Sequence, residues 1–132
     1  MPGAAVESAV VRFRLGRAGP TAGGRSELSR QSARIREVLA LASAVGAQVQ
    51  LEVVGRTDQA NLLARNDTLS RDRALFVRDR LVADGIDSAC VTAIGVATAE
   101  PLGDEATEDG RALNRSVTIR VHLTGVMTEP QP

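Results

Sequence analysis

The chain has 132 residues, enough for one domain, and 43% of them are hydrophobic but only 2% aromatic (Phe13 and Phe76), so its core must be aliphatic. Acidic and basic residues balance at 16 each, and every base is an arginine; this argues against a general nucleic-acid binder and a polybasic membrane surface. The single cysteine, Cys90, excludes an internal disulfide, and no apolar run is long enough for a transmembrane helix.

The first predicted element is the strand "VVRFRL", residues 10–15, in which Val11, Phe13 and Leu15 alternate with Arg12 and Arg14. "GRAGPTAGG" reads as a loop with Gly and Pro as breakers. A helix is expected from Ser26 to Val45, capped at Ser26 or Ser29 and stopped by Gly46. "QVQLEVV" is the second strand, with Val49, Leu51 and Val53 on one face, ending at Gly55. A second helix is expected from Leu62 to Ala83, stopping at Asp84–Gly85. "CVTAIGV" is the third strand, "ATAEPLGDEATEDG" a polar loop and "RALN" a single helical turn. "SVTIRVHL" is the last strand, with Val117, Ile119, Val121 and Leu123 on one face. The order β-α-β-α-β-β predicts an α/β sandwich: one mixed sheet with helices packed against it. Residues 8–124 form the expected domain, between tails at 1–7 and 125–132.

One feature of the second helix is unexpected. At about 100° per residue, its apolar residues share one arc, and Asn66 and Arg73 fall inside that arc with Ser70 beside them. A buried guanidinium needs an anion, a cluster of carbonyls or a wet cleft. Asp58, just past the second strand, is the candidate anion. A salt bridge pinning the loop to the helix would explain both residues without a ligand. The alternative is a doubly charged small molecule, with its ammonium on Asp58 and its carboxylate on Arg73. On that alternative the two side chains face one another across a solvent-open cleft, and Arg73→Ala affects binding more than stability.

"GRTDQANLLARNDTLSRDRALFV" resembles the signature of the OmpA-like peptidoglycan-binding domain. Gly55, Thr57, Asp58, Asn66, Leu69, Ser70, Arg73, Ala74 and Val77 stand at the family's spacing. "GRALNRSV" is similar to a second family block, through Gly110, Arg111, Asn114, Arg115 and Val117. Arg56, Asn61, Val96, Ala97 and Ser116 depart from the pattern, with Val96 and Ala97 replacing a common aromatic–Gly pair. The resemblance implies non-covalent binding of peptidoglycan through the diaminopimelate of its stem peptide. Asp58 and Arg73 would grip that residue, with help from Asn66, Thr57 and Leu69, and Arg115, Arg111 and Asn114 would lie near the same cleft. Diaminopimelate carries a free ammonium and carboxylate at its side-chain end, which suits charge-assisted and bidentate hydrogen bonds.

Other candidates have ordinary explanations. His122 lies on the polar face of a strand without metal partners, Cys90 reads as a small buried residue, and Asp104, Glu105, Glu108 and Asp109 form a solvated loop. Three function classes remain: a wall-binding module, a scaffold of the same fold that has lost binding, and an enzyme. No nucleophile–base pair or metal cluster supports the enzyme, and no cofactor is implied. The expected partner is peptidoglycan, with neither nucleic acid nor direct membrane contact, and a parent chain would supply a membrane module. That places the domain at the periplasmic face of the envelope if it is excised from a longer chain, and in the cytoplasm if these residues are the whole.

Overall fold

Alternation and helical periodicity translate into a four-stranded mixed sheet with helices packed on one face. The computed structural model describes residues 6–60 and 63–125, with the side chains of all of these but Leu63 and Ala64. The elements are β1 (Val11–Arg12), α1 (Ala22–Ala44), β2 (Gln48–Gly55), α2 (Leu63–Ala83), a 3-10 turn (Ser88–Cys90), β3 (Val91–Gly95), α3 (Glu108–Asn114) and β4 (Ser116–Thr124). The sheet order is β1-β4-β2-β3. β2 runs parallel to β3 and antiparallel to β4, and β1 runs antiparallel to β4.

β2 alternates as its sequence predicts. Val49, Leu51 and Val53 are buried, while Gln48 and Gln50 are exposed. The inward residues share a core with Leu28, Ile35 and Val38 of α1, Ala74, Val77 and Leu81 of α2, and Val117 and Ile119 of β4. Val6 is also fully buried, and Glu7 accepts the Val121 N–H at 3.0 Å. The end of the stretch read as an N-terminal tail thus packs onto the domain.

Several boundaries differ from the sequence reading. α1 begins at Ala22, not Ser26, because Thr21 caps it, its Oγ1 accepting the Gly24 N–H at 2.9 Å. Gly24 sits against β1: a Cβ there would lie 2.2 Å from the Arg12 carbonyl. Gly23 and Gly24, two of the glycines that read as breakers, therefore belong to the first helical turn. β1 has two residues, extended by a bridge between Phe13 and Pro20. The chain then turns at Gly16, whose φ is +65°, and Leu15 is left 62% exposed, not in the core. Leu123, expected on the buried face, is 52% exposed near the end of β4. β3 spans Val91–Gly95, shorter than the expected strand, because Asp87 caps a 3-10 turn over Ser88–Cys90. α3 starts three residues before "RALN", capped by Thr107 and favoured by Glu108 and Asp109 in its first turn. The second helix matches its expected span, although Asn61 and Leu62 lie outside the described residues.

Candidate functional site

The arc drawn at about 100° per residue places the polar residues of α2 correctly. Asn66, Ser70 and Arg73 of α2 are buried at 3%, 0% and 1% exposure, whereas Arg65, Asp67, Arg71 and Asp72 are exposed. Leu69, in the same stripe, is buried at 7% and contributes apolar packing. α2 runs beneath three chain segments that converge at one end of the sheet: the β1–α1 loop, the chain leaving β2, and the stretch from residue 97 into β4.

Arg73 binds those segments together. Its Nε donates to the Arg17 carbonyl at 2.9 Å, Nη1 to Arg56 at 2.9 Å and Nη2 to Arg14 at 3.0 Å. Its guanidinium also lies 5.6 Å from the centroid of the Phe13 ring. Burial pulls the Arg73 pKa down to about 10, against the raising influence of Asp58. The group remains protonated at neutral pH. Of the three environments open to a buried guanidinium, the fold supplies the carbonyl cluster.

Asp58 is 2% exposed and binds elsewhere. Its Oδ2 accepts from Arg115 Nη1 at 2.9 Å, and its Oδ1 accepts the Ala60 N–H at 3.3 Å. Arg115 also donates through Nη2 to Glu108 Oε1 at 2.6 Å. Burial pulls the Arg115 pKa down, but the hydrogen bonds to Glu108 and Asp58 outweigh it and the net shift is up. Arg115, followed by Arg111, holds the Glu108 carboxyl below its ordinary value.

These contacts correct the expected geometry. Asp58 and Arg73 do not face one another across a solvent-open cleft, since both are almost fully buried. Nor do they form the direct salt bridge of the structural alternative, because the ion partner of Asp58 is Arg115. A planar fork of donors matches carbonyls converging from separate loops, and this satisfies Arg73 without a counter-charge at contact distance.

Arg115, expected near this site, lies in it. Asn114 is 1% exposed, and its carboxamide is used internally. Its Oδ1 accepts the Leu102 and Gly103 N–H groups, and its Nδ2 donates to the Gly103 carbonyl and to Glu105 Oε2. Asn114 therefore shapes the wall and has no donor or acceptor to spare for a ligand. Arg111 is half-buried and donates to Glu108 and to the Glu105 carbonyl. Thr57 is 2% exposed, its N–H donates to Ala97 at 3.0 Å, and its hydroxyl has no partner among the described residues.

Sequence reasoning missed several supporting groups. Ser70 Oγ accepts the Ala97 N–H at 3.1 Å and so ties α2 to the segment that holds Thr57. Ala97 has a φ of +50°, which explains why glycine suits this position. Arg56 is buried, and donates to the Glu100 carbonyl at 2.7 Å and Thr118 Oγ1 at 2.6 Å, clamping the loop after β3. Glu105 receives the Gln59 N–H at 2.8 Å. Ser70 carried a signal as a polar residue within the apolar arc, and Arg56 and Ala97 stood out only as departures from the family pattern.

A family model described as the OmpA family matches residues 22–115. The chain is 44% identical over 71 residues to the outer membrane porin F of Pseudomonas fluorescens, covering 54% of this chain and 22% of that protein. It is 36% identical over 73 residues to the peptidoglycan-binding protein ArfA of Mycobacterium tuberculosis, covering 55% of this chain and 22% of that one. The matched stretch is thus about a fifth of the length of these relatives. Among solved structures, the cell wall anchor of the T6SS from Pseudomonas aeruginosa superimposes with a TM-score of 0.66 at 28% identity, covering 85% of this chain and 77% of that one.

Proposed function

The chain belongs to the OmpA family, and from that premise we propose that it binds peptidoglycan non-covalently through the diaminopimelate of the stem peptide. It thereby anchors a larger envelope protein, whose membrane module lies elsewhere in a parent chain, at the periplasmic face of the envelope. Its work is binding, without catalysis. The names of two relatives support the coarse reading, one a peptidoglycan-binding protein and the other a cell wall anchor.

The observation that carries the finer reading is the charge arrangement around Asp58. Arg115 is paired with both Asp58 and Glu108, whereas Arg73 meets backbone carbonyls and, among the described residues, no carboxylate at contact distance, and a guanidinium so placed favours a ligand carboxylate. Among the described residues Asp58 accepts from Arg115 and Ala60, fewer donors than an ionised carboxylate can hold, which leaves capacity for an ammonium. Arg73 likewise has more N–H donors than its three carbonyls use. In this reading Asp58 takes the ammonium, while Arg73, with Arg115 at the rim, takes the carboxylate. The unpartnered Thr57 hydroxyl lies beside them in sequence.

The mutual satisfaction of these groups favours a second reading, a scaffold of the same fold without wall binding. Asp58→Asn separates the two, because it keeps the side chain's shape while removing its charge. Sedimentation with diaminopimelate-containing sacculi is expected to capture the wild type and lose the variant. A wild type that stays in the supernatant leaves the scaffold.

A further inference from the structure

We propose that Glu105 is a positioning residue for this site, a strap holding the loop that carries Asp58 against the segment that carries Arg115. The inference rests on the binding reading above and adds to it the group that sets the spacing of the two walls.

Two cross-links join the walls in register. The first is the ion pair of Asp58 with Arg115 at 2.9 Å. The second runs through their chain neighbours, Gln59 and Asn114. Glu105 Oε1 accepts the Gln59 N–H at 2.8 Å, and Oε2 accepts from Asn114 Nδ2 at 2.5 Å. Each carboxylate oxygen thus holds one wall.

The strap is itself fixed. Asn114 cannot turn its amide over, because its Oδ1 already accepts the Leu102 and Gly103 N–H groups at 2.7 and 2.9 Å. The Glu105 carbonyl accepts from Arg111 Nη1 at 2.8 Å. Its chain neighbour Asp104 lies against Gly110, where an added Cβ would fall 1.9 Å from the Asp104 carbonyl oxygen. Within the acidic run, Asp104, Glu108 and Asp109 are exposed and Glu105 is half-buried. Its orientation is therefore set by the backbone on one side of the site and imposed on the loop of the other.

The consequence concerns affinity. A ligand held by Asp58 requires that carboxylate at a fixed place, and a loop released from its strap must be ordered again on binding. Glutamine at 105 has only one acceptor oxygen, so it keeps one of the two links and opposes an amide donor to the other.

The test measures two quantities on the wild type, Glu105→Ala, Glu105→Gln and the surface control Asp109→Ala: hydrogen exchange of the Gln59 amide, and affinity for a diaminopimelate-containing stem peptide. Melting temperatures identify any variant that is globally destabilised. Glu105→Ala is expected to expose the Gln59 amide and weaken binding about tenfold or more. Glu105→Gln is expected to fall between it and the wild type, and Asp109→Ala to match the wild type. If Glu105→Ala does not fold, Glu105→Gln carries the same comparison. Equal Gln59 exchange in the wild type and the Glu105 variants overturns the strap. A wild type that binds, with variants that bind as tightly, overturns the positioning role alone. A wild type that does not bind overturns the proposed function and this inference with it.

Discussion

At the scale of single residues, Arg73 is both a fastener and a candidate ligand group. It secures the carbonyls of Arg14, Arg17 and Arg56 in two loops, so its removal takes a charged donor from all three and leaves the Arg14 carbonyl only the Arg17 N–H. The sequence reading expected Arg73→Ala to affect binding more than stability, and the carbonyl contacts change that expectation. Arg73→Ala is expected to lower stability by on the order of 3 kcal/mol or more, read by denaturant unfolding, because buried polar groups lose a charged partner. Arg73→Lys is expected to recover little, since an ammonium is a compact point charge and cannot reproduce the planar fork. Unchanged unfolding of Arg73→Ala would contradict the fastening role. Loss of binding in an Arg73 variant is therefore weak evidence about the ligand. Asp58 joins its loop to the Arg115 segment through one ion pair, with the Glu105 cross-link beside it, and is the cleaner probe.

At the scale of elements, much of the fold was legible. The period-two pattern in "QVQLEVV" and "SVTIRVHL" and the helical stripe of α2 record which side meets the core. Boundaries were less legible where a glycine had two meanings. Gly23 and Gly24 read as a loop, yet Thr21 caps a helix through them, and Gly24 permits close passage of the Arg12 carbonyl. The site was legible as charges in unexpected places, namely Arg73 in an apolar stripe and Asp58 at a strand exit. Its wiring was not legible, because the partners of Arg73 are backbone carbonyls, which every residue possesses. Glu105 was indistinguishable from its acidic neighbours, since only the fold turns one of them inward. The two long helices are joined by a clasp: Asp84, just after α2, accepts from Ser32 of α1 at 2.6 Å and from Arg80 at 3.1 Å. The Ser32 hydrogen bond is the largest cause holding the Asp84 pKa below its ordinary 3.8, with Arg80 and Arg36 adding to it against burial. A depressed carboxyl stabilises the fold above its ordinary value, and that contribution disappears as pH falls through the lowered one. Ser32→Ala is therefore expected to lower stability by about 1 kcal/mol at neutral pH. The difference from wild type should shrink in acid, as melts across the acid range would record. A difference independent of pH would exclude Asp84 as the partner that matters.

At the scale of the whole molecule, the sheet and helices form a rigid platform, and the loops at one end carry the charges. Val53 and Val54 near the end of β2, Val117 at the start of β4 and the inner face of α2 are buried, so the groups around Asp58 rest on packed elements. The stretch that matches the curated relatives is about a fifth of their length, and on the proposed function such a platform would serve as the wall-facing module of a larger protein. On the proposed function, this end of the sheet would recognise both charges of one amino-acid side chain. Diaminopimelate differs from lysine by the carboxylate at the end of its side chain, so paired stem peptides isolate that charge. The deciding measurement is the affinity of the wild-type chain for a diaminopimelate stem peptide and for its lysine counterpart, by calorimetry in the same buffer. The diaminopimelate peptide is expected to bind and the lysine peptide to be weaker by about a hundredfold, the loss expected when a charge-assisted contact to a buried guanidinium disappears. Equal affinity for the two peptides, or none for either, would contradict that recognition.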